Sequence, residues 1–128
     1  MSYPSNLRYT KDHEWAELTS DTTVKVGITD HAQSALGDVV YLELPKAGRE
    51  LKSHETFGVV ESIKAVSDLL SPVAGKVVEV NAGLAADPIR INQNPHGEWM
   101  LVLEATDAKA QFAGLMDAAA YESFVKSL

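Results

Sequence analysis

Alternating apolar and polar positions organise the first part of the chain. In "WAEL" and "TTVKVGI" the residues Val24, Val26 and Ile28 fall on one side of an extended backbone, and the β-branched content adds to the strand preference. The intervening "TSDT" is turn chemistry, so the two segments are predicted to form a hairpin or small sheet. The period then changes. In "TDHAQSALG", Thr29 or Asp30 is placed to cap a helix, Ala32, Ala35 and Leu36 share one side, and Gly37 stands where helices commonly end. One short internal helix is predicted there.

A repeat follows. "GDVVYLEL" begins at Gly37 and "GKVVEVN" at Gly75, each with a Val pair and each followed by an "AG" dipeptide, Ala47-Gly48 or Ala82-Gly83, read as a turn. Each copy then leads to a second strand candidate, "FGVVES" or "WMLVLEA". Two strand–turn–strand units predict a quasi-symmetric β structure, a sandwich or flattened barrel in which each copy supplies one half. Between the copies, Phe57 to Ser62 and Val66 to Leu70 are both extended in pattern, forming a hairpin over about residues 57–72 with Lys64 at its tip. At the end of the chain Asp117 can cap a helix along which Tyr121, Phe124, Val125 and Leu128 recur at helical spacing. The fold class is therefore mainly β, in a single domain spanning residues 1–128, with a short internal helix and a C-terminal helix.

Composition narrows the function. The chain has 128 residues and a formal net charge of −7, from 18 acidic and 11 basic side chains. Nucleic-acid affinity comes from clustered Lys and Arg, so no nucleic-acid partner is predicted, and partners with basic patches are favoured. With no cysteine there is no disulfide, thiolate metal site or cysteine nucleophile. The opening "MSYPSNLRYT" lacks the apolar core of a signal peptide, and no later segment is long and apolar enough for a membrane span, so the protein reads as cytoplasmic.

Candidate chemistry is sparse. His13, His31, His54 and His96 form no metal-binding pair at helical spacing, and neither a nucleophile elbow nor a phosphate-cradling glycine loop is present, so no metal site and no autonomous catalysis are predicted. Asp30 beside His31 reads as a helix cap before it reads as a general-base dyad. Asp12, His13 and Glu14, ahead of Trp15, are either a ligand-facing polar cluster or a solvated turn, and the sequence favours the turn. Lys64 stands out by position. A catalytic lysine needs desolvation, whereas an attachment lysine needs exposure on a rigid tip and no intrinsic activation, and a hairpin tip supplies the second set of conditions.

These residues resemble the glycine cleavage system H proteins. "ESIKAVSDLLSPVAGKVVEVN" is similar to the family's lipoyl-attachment signature, with Glu61 three residues before Lys64 and Gly75 eleven after it. Further matches run from "YTKDHEW" through "VGITDHAQSALGDVVYLELPKAG" to "NPHGEWM" and "DAAAYESF", in the family's order. Biotinyl domains usually flank the lysine with Met, and 2-oxoacid dehydrogenase lipoyl domains carry Asp-Lys-Ala. Here the triplet is Ile63-Lys64-Ala65. There are departures: "NPHGEWM" is one residue shorter than the usual pattern, with His96 at an aromatic position, and Leu70 replaces a residue that is often polar or aromatic.

The resemblance implies a lipoyl/biotinyl-domain-like fold and lipoic acid in amide linkage on Lys64. Glu61 and Gly75 would then serve attachment-site recognition. It implies a non-catalytic, monomeric carrier that meets four kinds of partner: a pyridoxal-phosphate glycine decarboxylase, a folate-dependent aminomethyltransferase, a flavin dihydrolipoamide dehydrogenase and lipoate-attaching enzymes. Glu14, His31 and Asp68 lie in matching segments and are candidates for a cradle that shields the loaded arm. A relay protein that passes lipoyl groups to other enzymes would need the same lysine and is the alternative.

Overall fold

The computed structural model describes residues 3–128. Among these residues nine strands run β1 (Leu7–Tyr9), β2 (Glu14–Leu18), β3 (Thr23–Ile28), β4 (Val39–Glu43), β5 (Glu50–Leu51), β6 (Thr56–Ser62), β7 (Val66–Leu70), β8 (Gly75–Val80) and β9 (Leu101–Glu104). Five helices accompany them: α1 (Asp30–Leu36), α2 (Ala82–Ala86), α3 (Arg90–Gln93), α4 (Ala108–Ala113) and α5 (Ala118–Lys126). The strands make two antiparallel sheets rather than one closed barrel, a six-stranded sheet in the order β1-β2-β3-β9-β8-β5 and a three-stranded sheet in the order β4-β6-β7.

The repeated segments part company here. The first copy supplies β4 and its neighbour β6 in the small sheet, and the second supplies β8 and its neighbour β9 in the large one. Their inward residues, among them Val39, Leu42, Phe57 and Val60 from one copy and Val77, Leu101 and Leu103 from the other, meet in one core with Val24, Val26 and Ile28. Burying this contiguous apolar surface holds the two sheets together.

The two "AG" dipeptides adopt different structures, which corrects the reading of both as turns. Gly48 does turn, at φ 96°. Ala82 and Gly83 instead open α2, because the Asn81 side chain caps the helix by accepting from Leu84 N at 3.2 Å, and Leu84 is fully buried. Before its dipeptide the first copy has Pro45-Lys46, whereas the second has the cap-competent Asn81, and Leu84, Ala85 and Ala86 follow as helix formers.

The two predicted caps are in place. Thr29, not Asp30, caps α1 by accepting from Ala32 N at 3.2 Å, and Asp117 caps α5 by accepting from Ala120 N at 2.8 Å. Helix α5 packs Tyr121 into a second, aromatic cluster with Tyr3, Leu7, Tyr9 and Trp15, while Leu128 stays outside it at 70% exposure. Tyr121 stacks on Tyr9 with ring centroids 4.7 Å apart, closing one end of the six-stranded sheet.

Candidate functional site

Strands β6 and β7 pair from Thr56–Leu70 to Glu61–Val66, so the chain must reverse through Ile63, Lys64 and Ala65. Ser62 makes that reversal rigid. Its amide donates to Ala65 O at 2.8 Å, and its hydroxyl accepts from the amides of Lys64 and Ala65 at 3.3 and 3.0 Å. Lys64 is exposed at the tip.

A second support comes from the α1–β4 corner. Ile63 N donates to Asp38 O at 3.1 Å, tying the tip to that corner. Asn92 of α3 holds the corner from below: its carbonyl accepts from Val39 N at 2.9 Å, and its amide donates to Gly37 O at 2.8 Å and Gln33 Oε1 at 3.0 Å. Gly37 sits at φ 81°, and a Cβ there would approach Lys64 Cε to 3.3 Å, so the lysine stem crosses bare backbone at the end of α1. Sequence reasoning read Gly37 as a helix stop and missed Asn92, whose role depends on a fold that brings α3 beneath α1.

Beside Ala65 opens a cleft of about 370 Å³ between the β6–β7 hairpin, α1 and the β1–β2 turn. Its apolar walls include Ile28, Ala32, Leu36, Val60 and Leu69, and its polar positions include Asp12, His13, Glu14, His31 and Asp68. All three cradle candidates, Glu14, His31 and Asp68, line this one cleft although they come from β2, α1 and β7. Asp68 is exposed and Glu14 is 3% exposed.

That burial corrects the reading of Asp12-His13-Glu14 as a solvated turn. Only Asp12 fits it; His13 is half-buried and Glu14 is inside. The turn is tight because His13 adopts φ 67°, and because Thr10 Oγ1 accepts from the amides of Asp12 and Glu14, each at 3.2 Å, while donating to Glu14 Oε1 at 2.9 Å. Burial pushes the Glu14 carboxyl up to about 8, aided by the nearby Asp12 charge and opposed by the Thr10 hydroxyl and the Leu70 amide. At neutral pH the cleft therefore holds a mostly protonated carboxyl.

The His13 ring lies against that of His31 with centroids 4.4 Å apart. Burial, and secondarily His31, pushes the His13 pKa down, with Asp12 acting against them. His96, at the departure in "NPHGEWM", acts as a structural acceptor, its Nε2 accepting from Asp30 N at 3.1 Å. Burial lowers its pKa too, which suits a neutral acceptor. Trp15 Nε1 donates to Pro95 O at 2.9 Å and fixes the same loop.

Glu61 and Gly75 are not neighbours in the structure. Glu61 is half-buried on β6, in register between Tyr41 and Val66 at the base of the tip. Gly75 begins β8 in the other sheet, where a Cβ would come within 2.9 Å of Glu104 O, so the close approach of β8 to β9 requires glycine. Around the tip Ile63, Val66, Tyr41 and Val40 are all exposed. Among the described residues no group of His, Asp or Glu is arranged to hold a metal, and no helix is long and apolar enough to cross a membrane.

Comparison with known proteins agrees with this geometry. The family model described as Glycine cleavage H-protein matches residues 7–128. A glycine cleavage system H protein from Chlorobium limicola is 53% identical over 126 residues, which covers 98% of this chain and 98% of the relative. One from Anaeromyxobacter sp. (strain K) is 54% identical over 127 residues, again 98% of each chain. The crystal structure of a glycine cleavage system H protein from Mycobacterium marinum superposes with a TM-score of 0.88 at 38% identity, covering 98% of this chain and 100% of that one.

Proposed function

The chain belongs to the glycine cleavage H-protein family, the lipoyl carriers of the glycine cleavage system, and on that premise we propose that Lys64 bears the lipoyl group and that the adjoining cleft receives the loaded arm. The observation that carries the reading is the pairing of an exposed lysine on a rigid hairpin with a cleft that starts at the next residue, Ala65. The residues fit such an arm. The cleft volume of about 370 Å³ lies in the range of small-ligand sites, its walls are mostly apolar, and its polar groups are few and convergent.

Joined through an amide that removes the Lys64 charge, lipoate would supply a dithiolane able to accept the aminomethyl group of glycine from a pyridoxal-phosphate decarboxylase; a folate-dependent aminomethyltransferase would take its carbon and release ammonia, and a flavin dihydrolipoamide dehydrogenase would reoxidise the dithiol. The chain's own residues do three things. Ser62, Asp38 and Asn92 present the tip in one shape to every partner, so little entropy is lost at each brief docking. Ile28, Leu36 and Val60 cover apolar length of the arm and keep water from it. Glu14, with Asp68 and His31, meets a cationic amine at the cleft. A cation there offsets the cost of ionising a buried carboxyl, so arrival of the amine drives the Glu14 proton off and creates the matching charge.

Glu61 contributes to recognition by the attaching enzyme, beside the exposed Tyr41 and Val66. Gly75 contributes at a distance, by allowing the β8–β9 approach that sets the second sheet. The protein works as a monomeric, non-catalytic, cytoplasmic shuttle, and its net charge of −7 steers encounters with basic partner surfaces.

Intact-mass measurement tests the attachment. Protein from cells able to make lipoate should carry the lipoyl increment and Lys64→Arg should not; an unmodified native protein overturns the proposal. Reconstitution with the decarboxylase and the aminomethyltransferase should restore glycine-dependent carbon transfer. A protein that only relays lipoyl groups would fail that assay.

A further inference from the structure

Helix α5 lies outside the cleft, yet one of its side chains reaches the cleft wall. The Tyr121 hydroxyl, on a fully buried residue, lies 2.7 Å from Thr29 Oγ1 and 2.8 Å from His13 Nδ1. Thr29 caps α1, the helix that carries His31, and His13 precedes Glu14. One phenol thus holds His13 directly and the cap of the helix that carries His31, the two histidines whose rings meet at a tilt in the cleft lining.

The protons on this relay have one consistent order. Thr29 Oγ1 already accepts from Ala32 N at 3.2 Å, so its own hydrogen needs an acceptor, and Tyr121 is its remaining partner among the described residues. Tyr121 is neutral, because burial holds its pKa well above the ordinary tyrosine value, and it therefore has a hydrogen to pass on. With Thr29 donating to Tyr121 and Tyr121 donating to His13 Nδ1, every hydrogen is used. The reverse order strands the hydroxyl hydrogen of a residue that is 0% exposed, and a buried unpaired donor is costly.

We propose that Tyr121 is a positioning residue for the cleft, fixing His13 as the neutral tautomer that accepts at Nδ1 and keeps its hydrogen on Nε2. His13, which lines the cleft together with Glu14, then carries its hydrogen-bond donor on Nε2, and its orientation is set from the C-terminal helix. The role in holding the arm rests on the carrier reading above. The tautomer does not, because it is a property of the unmodified chain.

The experiment uses the full chain, labelled with ¹⁵N at histidine, in long-range proton–nitrogen correlation spectra. Wild-type protein should show His13 protonated at Nε2 and acting as an acceptor at Nδ1. Tyr121→Phe keeps the ring packing and removes the relay, so His13 should change to a mixture of tautomers. A wild-type His13 protonated at Nδ1, or a tautomer unchanged in a folded Tyr121→Phe protein, overturns the proposal, and the wild-type spectrum decides even if the variant fails to fold. In lipoylated protein, Tyr121→Phe should speed loss of the glycine-derived group about fivefold, the effect of one ordinary hydrogen bond. An unchanged rate alongside a changed tautomer would confine Tyr121 to positioning His13 and overturn the role in the cleft.

Discussion

Replacing Glu14 by Gln should remove most of the alkaline fragility of this fold. The carboxyl shifts from an ordinary value of 4.5 to about 8, so between those two values the folded chain holds a proton that the unfolded chain has lost. Stability then falls as pH rises across that window, because the unfolded state binds fewer protons than the folded one. At 1.36 kcal/mol per pKa unit the full window amounts to about 5 kcal/mol, of which roughly 2 kcal/mol falls between pH 6.5 and 8. That is comparable to the whole stability of many small domains. Gln has the shape of the protonated acid and keeps an acceptor for the Thr10 hydroxyl, so Glu14→Gln should match wild type within about 1 kcal/mol near pH 5. It should exceed wild type by roughly 3–5 kcal/mol above pH 9, where wild-type Glu14 is forced to ionise in place. Urea unfolding at a series of pH values measures both curves. The comparison is cleanest above pH 6.5, since His13 and His96, with lowered pKa values, bind fewer protons folded than unfolded and give the opposite slope just below their ordinary value. Parallel curves for the two proteins above pH 6.5 would refute the claim that Glu14 is held protonated by burial.

Other substitutions probe the supports of the tip. Asn92→Ala leaves the Val39 amide without its partner and should cost about 1–3 kcal/mol in chemical denaturation, together with slower lipoylation in a gel-shift or mass assay. Gly37→Ala places a side chain at φ 81° and 3.3 Å from Lys64 Cε, so a loss of about 1–2 kcal/mol and a displaced lysine stem are expected, readable by denaturation and by the lysine side-chain resonances. His96→Phe supplies the family's aromatic type but removes the acceptor for Asp30 N. It should destabilise by about 1–3 kcal/mol and flatten the part of the stability-versus-pH curve just below pH 6.5 that His96 contributes.

Much of this protein is decided locally, and that part could be read from its residues. The alternation of Val24, Val26 and Ile28 gave a strand because side chains on an extended chain face opposite ways, and the spacing of α1 between a Thr cap and Gly37 gave a helix of about the right extent. The two extended runs flanking Lys64 put that lysine at a tip because antiparallel pairing leaves it no other place. Family resemblance then singled out Glu14, His31 and Asp68. Their meeting in one cleft depends on the packing of β2, α1 and β7, elements far apart in sequence.

What tertiary structure alone decided are properties that depend on distant neighbours. "DHE" ahead of Trp15 has the composition of a solvated turn, and Glu14 becomes a buried acid only where the fold sets it in a cleft shared with α1 and the β6–β7 hairpin, with the Leu70 amide acting against the upward shift. The second "AG" looks like the first, yet Asn81 and the burial of Leu84 make it a helix that carries the chain on to α3 and Asn92. His13 carries no local sign that Tyr121, on the last helix, sets its hydrogen-bond partner. A local pattern fixes which way a side chain points along its own strand or helix. The environment it then meets, and so its charge and its role, is fixed by which other elements the core draws together.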